Sequence, residues 1–418
     1  MRAAATPVPL FVLLAAAALP GSALRSGSEH TALYAGIGPV ITRYDVDAGQ
    51  ATLAVRESIT VAGNVQYAWL HPGGRVLYVV WSGGADGTNH GVTAFDVESG
   101  SGVLRPHGAS VSLKYRPIHV TTDRQGSHLL IAYNQPARVT VHRLALDGTI
   151  GVEVEQTATL DLGIYPHQVR VEPATGTVLV VGRGNYPEGG KVTTDPGSLH
   201  ALDFHAGQLS NRAEVASGRG MPFNPRHLDF HPSKKWIFLS VELQNMLQVY
   251  RRTAEGSFDP VPLFTKDSLT NPGDVRPEHR QLAGAIHAHP NGRFVYQANR
   301  GTGTTTSAGQ RIWAGGFNNI AVFRIDQRTG EPTLVQNADT HGLLPRTFAL
   351  DPGARLLVAA NMSELLVRDG ASLTRVPASL AVFRVREDGR LDYIRKVDVD
   401  TAGGRHTMFW MNLIPVPR

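Results

Sequence analysis

The 418-residue chain contains no cysteine. That excludes disulfides, a cysteine nucleophile, and thiolate-ligated zinc or iron–sulfur centres. Long apolar runs are nearly absent too: the one that stands out, Val8 to Leu19, sits at the start and is too short for a comfortable membrane span. Helical periodicity is equally scarce, which favours a turn-rich β chain. Charge of one sign is nowhere concentrated. Lys and Arg total 40 against 35 Asp and Glu, and they are scattered, so a net +5 offers no basic stripe with interleaved aromatics for nucleic acid. With 42% apolar and 18% charged residues the chain is still globular rather than disordered.

The N-terminus reads as an export signal: Arg2, the Val8 to Leu19 run, then the small residues Gly21-Ser22-Ala23 as an expected cleavage site. Residues 1–23 are therefore expected to be a signal peptide. Residues 24–418 are expected to form a single domain, periplasmic or secreted, with no membrane span after cleavage.

Short β-rich runs separated by turns fill the remainder, and they repeat. A [VIL]-x-x-[FYLH] pattern recurs seven times, from Ile41-Thr42-Arg43-Tyr44 to Leu380-Ala381-Val382-Phe383. Upstream of six copies lies a second apolar run. Ahead of most of those stands a turn such as His71-Pro72-Gly73-Gly74, His231-Pro232-Ser233 or Asp351-Pro352-Gly353. A further strand starts near Val65, Pro117, Pro166, Pro225, Ala283 and Pro345, at spacings of 52, 49, 59, 58 and 62 residues. Three or four antiparallel strands repeated at such a spacing make a propeller blade. The first unit, Thr31 to Val46, lacks an innermost strand, and Thr407 to Asn412 supplies one at the other end. The expected fold is all-β: a seven-bladed β-propeller closed by the C-terminal strand completing the first blade.

This geometry filters the chemistry. In each blade the start of the first strand and the end of the second meet on one face, near the axis. The first position reads Ile118, His167, Arg226, Gly284 and Arg346; the second reads Ser82, Asn134, Arg183, Glu242, Arg300 and Met362. His119, His227 and His287 fall one or more residues off that phase. Four arginines around one glutamate and one histidine suit an anionic or carbonyl substrate, because guanidinium is a rigid donor fork for carboxylate or oxyanion. His167 is placed to act as general base, and Glu242 as acid/base or as an orienting group. The bland alternative is that these charges solvate a channel mouth, with Arg226–Glu242 a structural pair.

The stretch Asn224-Pro225-Arg226-His227-Leu228-Asp229-Phe230-His231-Pro232, followed by Val241-Glu242-Leu243, resembles the signature of the seven-bladed propeller lactonases. That family includes a bacterial 6-phosphogluconolactonase and a fungal carboxymuconate-lactonizing enzyme. The resemblance runs through the whole mature chain and implies His167, Arg226, Glu242 and Arg300 as catalytic pocket residues, with no cofactor and no metal. Arg346, Arg183, Asn134 and His287 are expected as substrate contacts. One Glu and one Asn among four arginines would hold a cation poorly. The expected activity is metal-independent hydrolysis of a sugar-type lactone outside the cytoplasm, the address fitting an aldonolactone better than a phosphosugar. Two alternatives stay open: a cycloisomerase or lactone isomerase, and a non-catalytic secreted propeller that binds a partner or carbohydrate. Three long loops, 186–196, 302–317 and 362–378, should rise beside the pocket.

Overall fold

The computed structural model describes residues 30–83, 88–186, 195–215, 223–307 and 309–418. The signal segment read from residues 1–23 lies outside them. Every major element is a β-strand, and seven antiparallel sheets follow one another around a ring. Six of them are four-stranded, and that of blade 2 is five-stranded because Leu104–Pro106 and Val111–Leu113 both pair with Asn89–Val97. Blade 2 begins at Asn64–Leu70, blade 3 at Pro117–Thr122 and blade 4 at Pro166–Val171. Blades 5, 6 and 7 begin at Pro225–Phe230, Gln281–Ala288 and Pro345–Leu350. Blade 1 takes its inner strand, Met408–Pro415, from the C-terminus and its other strands, Thr31–Ile37, Val40–Asp47 and Thr52–Thr60, from the start of the ring. The pairing Thr31↔Pro415 closes the circle as the repeat arithmetic required.

Burial explains the composition of each strand. Second strands such as Trp236–Val241 and Leu356–Asn361 are buried throughout, because each sheet packs both faces against its neighbours. Outer strands such as Leu391–Asp398 lie mostly in solvent and alternate less strictly. The core is thus a set of apolar layers between blades; one of them, for instance, joins Phe294 and Tyr296 of blade 6 to Phe348, Leu357 and Phe383 of blade 7.

The His-Pro turns have a structural task. His71 Nε2 lies 3.0 Å from the carbonyl of Gly126, in the corresponding turn of the next blade, and His231 Nε2 lies 2.9 Å from that of Gly292. Each ties one blade to its successor on the face away from the strand starts. The receiving glycines have φ of 70° and 72°, in the left-handed region that glycine enters without a Cβ penalty.

Two of the long loops are not loops. Thr304–Ser307 pairs with Gln310–Trp313, and Leu365–Asp369 pairs with Ser372–Val376. The two hairpins, inserted in blades 6 and 7, join by a parallel contact at Ile312↔Leu366 into a separate four-stranded sheet. Leu343, Leu344 and Leu365 pack beneath it with Trp313, Met362 and Val376.

Candidate active site

The inner strands share one irregularity at their first residues. Pro166 pairs with Gly182 and Gln168 with Val181, so His167 is an extra residue with no partner across the ladder. The same bulge singles out Arg226 between Pro225 and His227, and Arg346 between Pro345 and Thr347. It also singles out Gln66, Ile118 and Phe409, while Gly284–Ala285 occupy it in blade 6. A bulge breaks the alternation of side chains and re-aims the extra residue. The axial phase read from the repeats is this ring of bulges.

Glu242, directly after the second strand of blade 5, is fully enclosed. Its Oε1 accepts hydrogen bonds from Arg226 Nη1 and, at 2.6 Å, from Arg300 Nη2. Its Oε2 accepts the Tyr186 hydroxyl. Arg226 and Arg300 are 4% and 3% exposed, so both cations are as desolvated as the anion between them. Gly284 makes the arrangement fit: a Cβ there would stand 2.5 Å from Arg300 Nη1. Asn224 then fixes the neighbouring segment. With φ of 42°, it accepts Glu242 N–H on its carbonyl at 2.8 Å and donates its amide to the carbonyls of Arg183 and Asn185, each at 3.1 Å. That segment delivers Tyr186 to Glu242. It also places the Arg183 guanidinium between the rings of Tyr165 and Tyr186, 3.6 and 4.0 Å from their centroids. Arg346 stacks 3.5 Å over Phe409. Among the described residues no carboxylate pairs with it.

The electrostatics follow from four guanidiniums facing one carboxylate. Burial works against the ionised form of Glu242, yet Arg226 and Arg300 outweigh it and hold the carboxyl below its usual value. Burial and the repulsion of Arg226 bring Arg300 down to about 10. Burial and the charges of Arg226 and Arg300 also hold Arg346 well below the ordinary guanidinium value. A guanidinium keeps its proton at neutral pH, so both remain hydrogen-bond donors in a pocket that gathers positive charge. Tyr186, buried beside Glu242, is pushed up to about 12 and stays a donor.

His167 is 5% exposed, and its Nδ1 is enclosed without a hydrogen-bond partner among the described residues. Burial, then the charges of Arg226, His227, Arg346 and Arg183, hold its pKa well below 6.5, so the ring is neutral at pH 7. His227 and His119 are depressed by the same cause, burial first. This has a measurable consequence. Unfolded, the three rings would protonate as pH falls below about 6.5; folded, they resist. Their stabilising contribution is complete above that pH and is lost below it, by up to about 1.4 kcal/mol per pH unit for each ring. Thermal midpoints are expected to fall between pH 6.5 and 5, above the carboxylate range, and His119→Phe should make the decline shallower. An unchanged slope in that variant would contradict the assignment.

The structure brings together His167, Arg226, Glu242 and Arg300, with Arg183 and Arg346 at their side. Asn134, directly after the second strand of blade 3, is 6% exposed, and among the described residues no hydrogen bond joins it to the arginine group. His287 has to be moved. It lies near the far end of the blade 6 inner strand, its Nδ1 3.8 Å from Asp229 and its ring 4.9 Å from that of Phe348, away from the mouth. The sequence reading missed Tyr186 and Phe409. Tyr186 lies on a non-repeating segment, and Phe409 is visible once the bulge phase is applied to the closing strand. Beside Phe409, a cavity of about 160 Å³ is lined by Gln66, Arg116, Arg405 and His406.

A closed seven-bladed ring with a cationic pocket at the mouth of its axis defines a propeller enzyme built to receive an anion or a polarised carbonyl. The chain belongs to the 7-bladed β-propeller lactonase family, whose model matches residues 30–368, and is a lactonase-type hydrolase. It is 29% identical over 356 residues to the 6-phosphogluconolactonase of Bacillus subtilis, covering 82% of this chain and 91% of that one. The 6-phosphogluconolactonase of Pectobacterium atrosepticum is 28% identical over 312 residues, covering 74% and 81%. In fold the chain resembles the periplasmic gluconolactonase of Pseudomonas aeruginosa, with a TM-score of 0.71 and 22% identity over 93% of this chain and all of that one.

Proposed function

We propose that this protein is an exported lactone hydrolase acting on an aldonolactone outside the cytoplasm, without a metal. The observation that carries the reading is four guanidiniums and one carboxylate gathered at a neutral, buried histidine. Ring opening needs a base for water and a cationic cradle for the oxygen that becomes negative. His167, uncharged at pH 7, takes the proton from water as its oxygen attacks the lactone carbon. Arg226 and Arg300 are held in register by Glu242 and face the developing oxyanion. Arg346 and Arg183 are held flat by aromatic rings and keep N–H edges for substrate hydroxyls or the product carboxylate. Glu242, committed to two arginines and Tyr186, orients them rather than exchanging protons. A donor set this cationic repels a divalent ion. The leader sequence and the gluconolactonase likeness support the location and an unphosphorylated sugar acid as product.

Purified protein offered a panel of sugar lactones should open at least one well above the spontaneous rate, with product identified by NMR as the hydroxy acid. His167→Ala is expected to lower kcat by about 10²–10⁴-fold, and Arg226→Ala by about 10²–10³-fold. Turnover of no lactone, or an isomerised product, would overturn the reading.

A further inference from the structure

Behind His167 the axis is lined by histidines that the reaction as written leaves idle. The ring of His167 lies 5.1 Å from that of His227, which lies 6.4 Å from that of His119. His119 is fully buried, 4.0 Å from the ring of Tyr67, and neither of its nitrogens has a hydrogen-bond partner among the described residues. With Nδ1 of His167, three imidazole nitrogens in one column are thus without protein partners. Buried polar atoms of this kind are ordinarily satisfied by ordered water. The column continues outward. Arg170 stacks on Trp69 and Phe230 and pairs with Asp229 at 3.0 Å, and Asp229 faces His287 at 3.8 Å. Side-chain exposure rises to 16% at Asp229 and 33% at His287, near the ends of their strands opposite the bulges.

Lactone hydrolysis creates the need for such a column. Water's oxygen bonds to the acyl carbon, the acyl–oxygen bond of the ring breaks, and the departing ring oxygen takes a proton. The new carboxylic acid then ionises, so each turnover frees one proton inside the pocket. Four guanidiniums and a carboxylate already paired with two of them oppose its escape through the mouth. We propose that His227, with His119 beside it and the Asp229–His287 pair at the far end, carries this proton from His167 along the axis to the opposite face of the ring. The proposal rests on the lactonase reading above. A neutral imidazole passes a proton by accepting on one nitrogen and releasing from the other. The charged and titratable groups bearing on the path are Arg226, Arg346, His119 and His287 around His227, and Arg170 beside His119.

The test uses the full-length protein with glucono-1,5-lactone, above the spontaneous rate, in dilute non-imidazole buffer and again with added imidazole. His227→Phe, His227→Gln and His119→Phe are compared after their thermal unfolding has shown them folded. The expected result for the His227 variants is a kcat lowered about tenfold or more, KM changed by less than about twofold, and substantial recovery with imidazole. Wild-type kcat should be insensitive to imidazole. Unchanged kcat in both His227 variants, or a loss that imidazole does not restore, overturns the route and reduces His227 to packing. A wild type that opens no lactone removes the lactonase reading itself, and that is seen before any variant is assayed.

Discussion

Truncation before Met408 will abolish folding to a soluble monomer. The removed strand is the inner member of blade 1 and is paired along its whole length with Thr31–Ile37. Its apolar side chains divide between two interfaces. Met408, Met411 and Leu413 pack with Leu380 and Val382 of blade 7, while Trp410 and Ile414 pack with Val65, Leu77 and Val79 of blade 2. Burying a large apolar side chain is worth about 1.5–3 kcal/mol, so these five alone match the roughly 5–15 kcal/mol by which a domain is stable. Removal also exposes the backbone edge of Thr31–Ile37, an invitation to intermolecular pairing. Soluble yield, size-exclusion chromatography and a melting curve check this. A truncated monomer with a cooperative transition would show that the closing strand is dispensable.

Glu242→Ala is the second severe change, and its effect is on stability before activity. Arg226 and Arg300 would be left enclosed with no carboxylate between them, and Tyr186 would lose its acceptor. Removing one partner of a buried ion pair costs about 3–5 kcal/mol, because the remaining charge is uncompensated. Glu242→Gln preserves the shape while removing the charge, and should recover only part of the loss. Denaturant midpoints measure both. The sign of the pH response follows: a carboxyl held below its unfolded value stabilises above that value, near 4.3, and ceases to do so as pH falls through the folded one. The charge pair therefore supports the fold at neutral pH and fails in acid. A Glu242→Gln protein as stable as wild type but inactive would transfer the role of base from His167 to Glu242.

The repeat was readable because a blade must turn in the same places each time. Glycine, proline and histidine recur at those turns, and apolar runs recur between them. The pocket was readable for the same reason: His167, Arg226 and Arg346 share a backbone irregularity that each blade reproduces, so a phase counted along the sequence found them. What escaped was whatever the repeat does not generate. Tyr186 stands on a segment whose path is set by Asn224, 38 positions away in the chain and in the next blade. His287 was misassigned because it lies close in sequence to the bulge of blade 6, while two residues, Gly284 and Ala285, occupy that bulge and the strand then carries His287 toward the other face. The hairpins at residues 304–313 and 365–376 read as loops because neither has a strong strand pattern alone.

Those hairpins constrain how this rim can be changed. Each supplies two strands of a sheet that exists only when both are present, joined at Ile312 and Leu366. A substitution that reshapes one is therefore expected to be felt by the other, so that changes here couple two blades. Exchanging this rim is expected to require both hairpins together, since either one alone meets a partner edge it was not shaped to pair with.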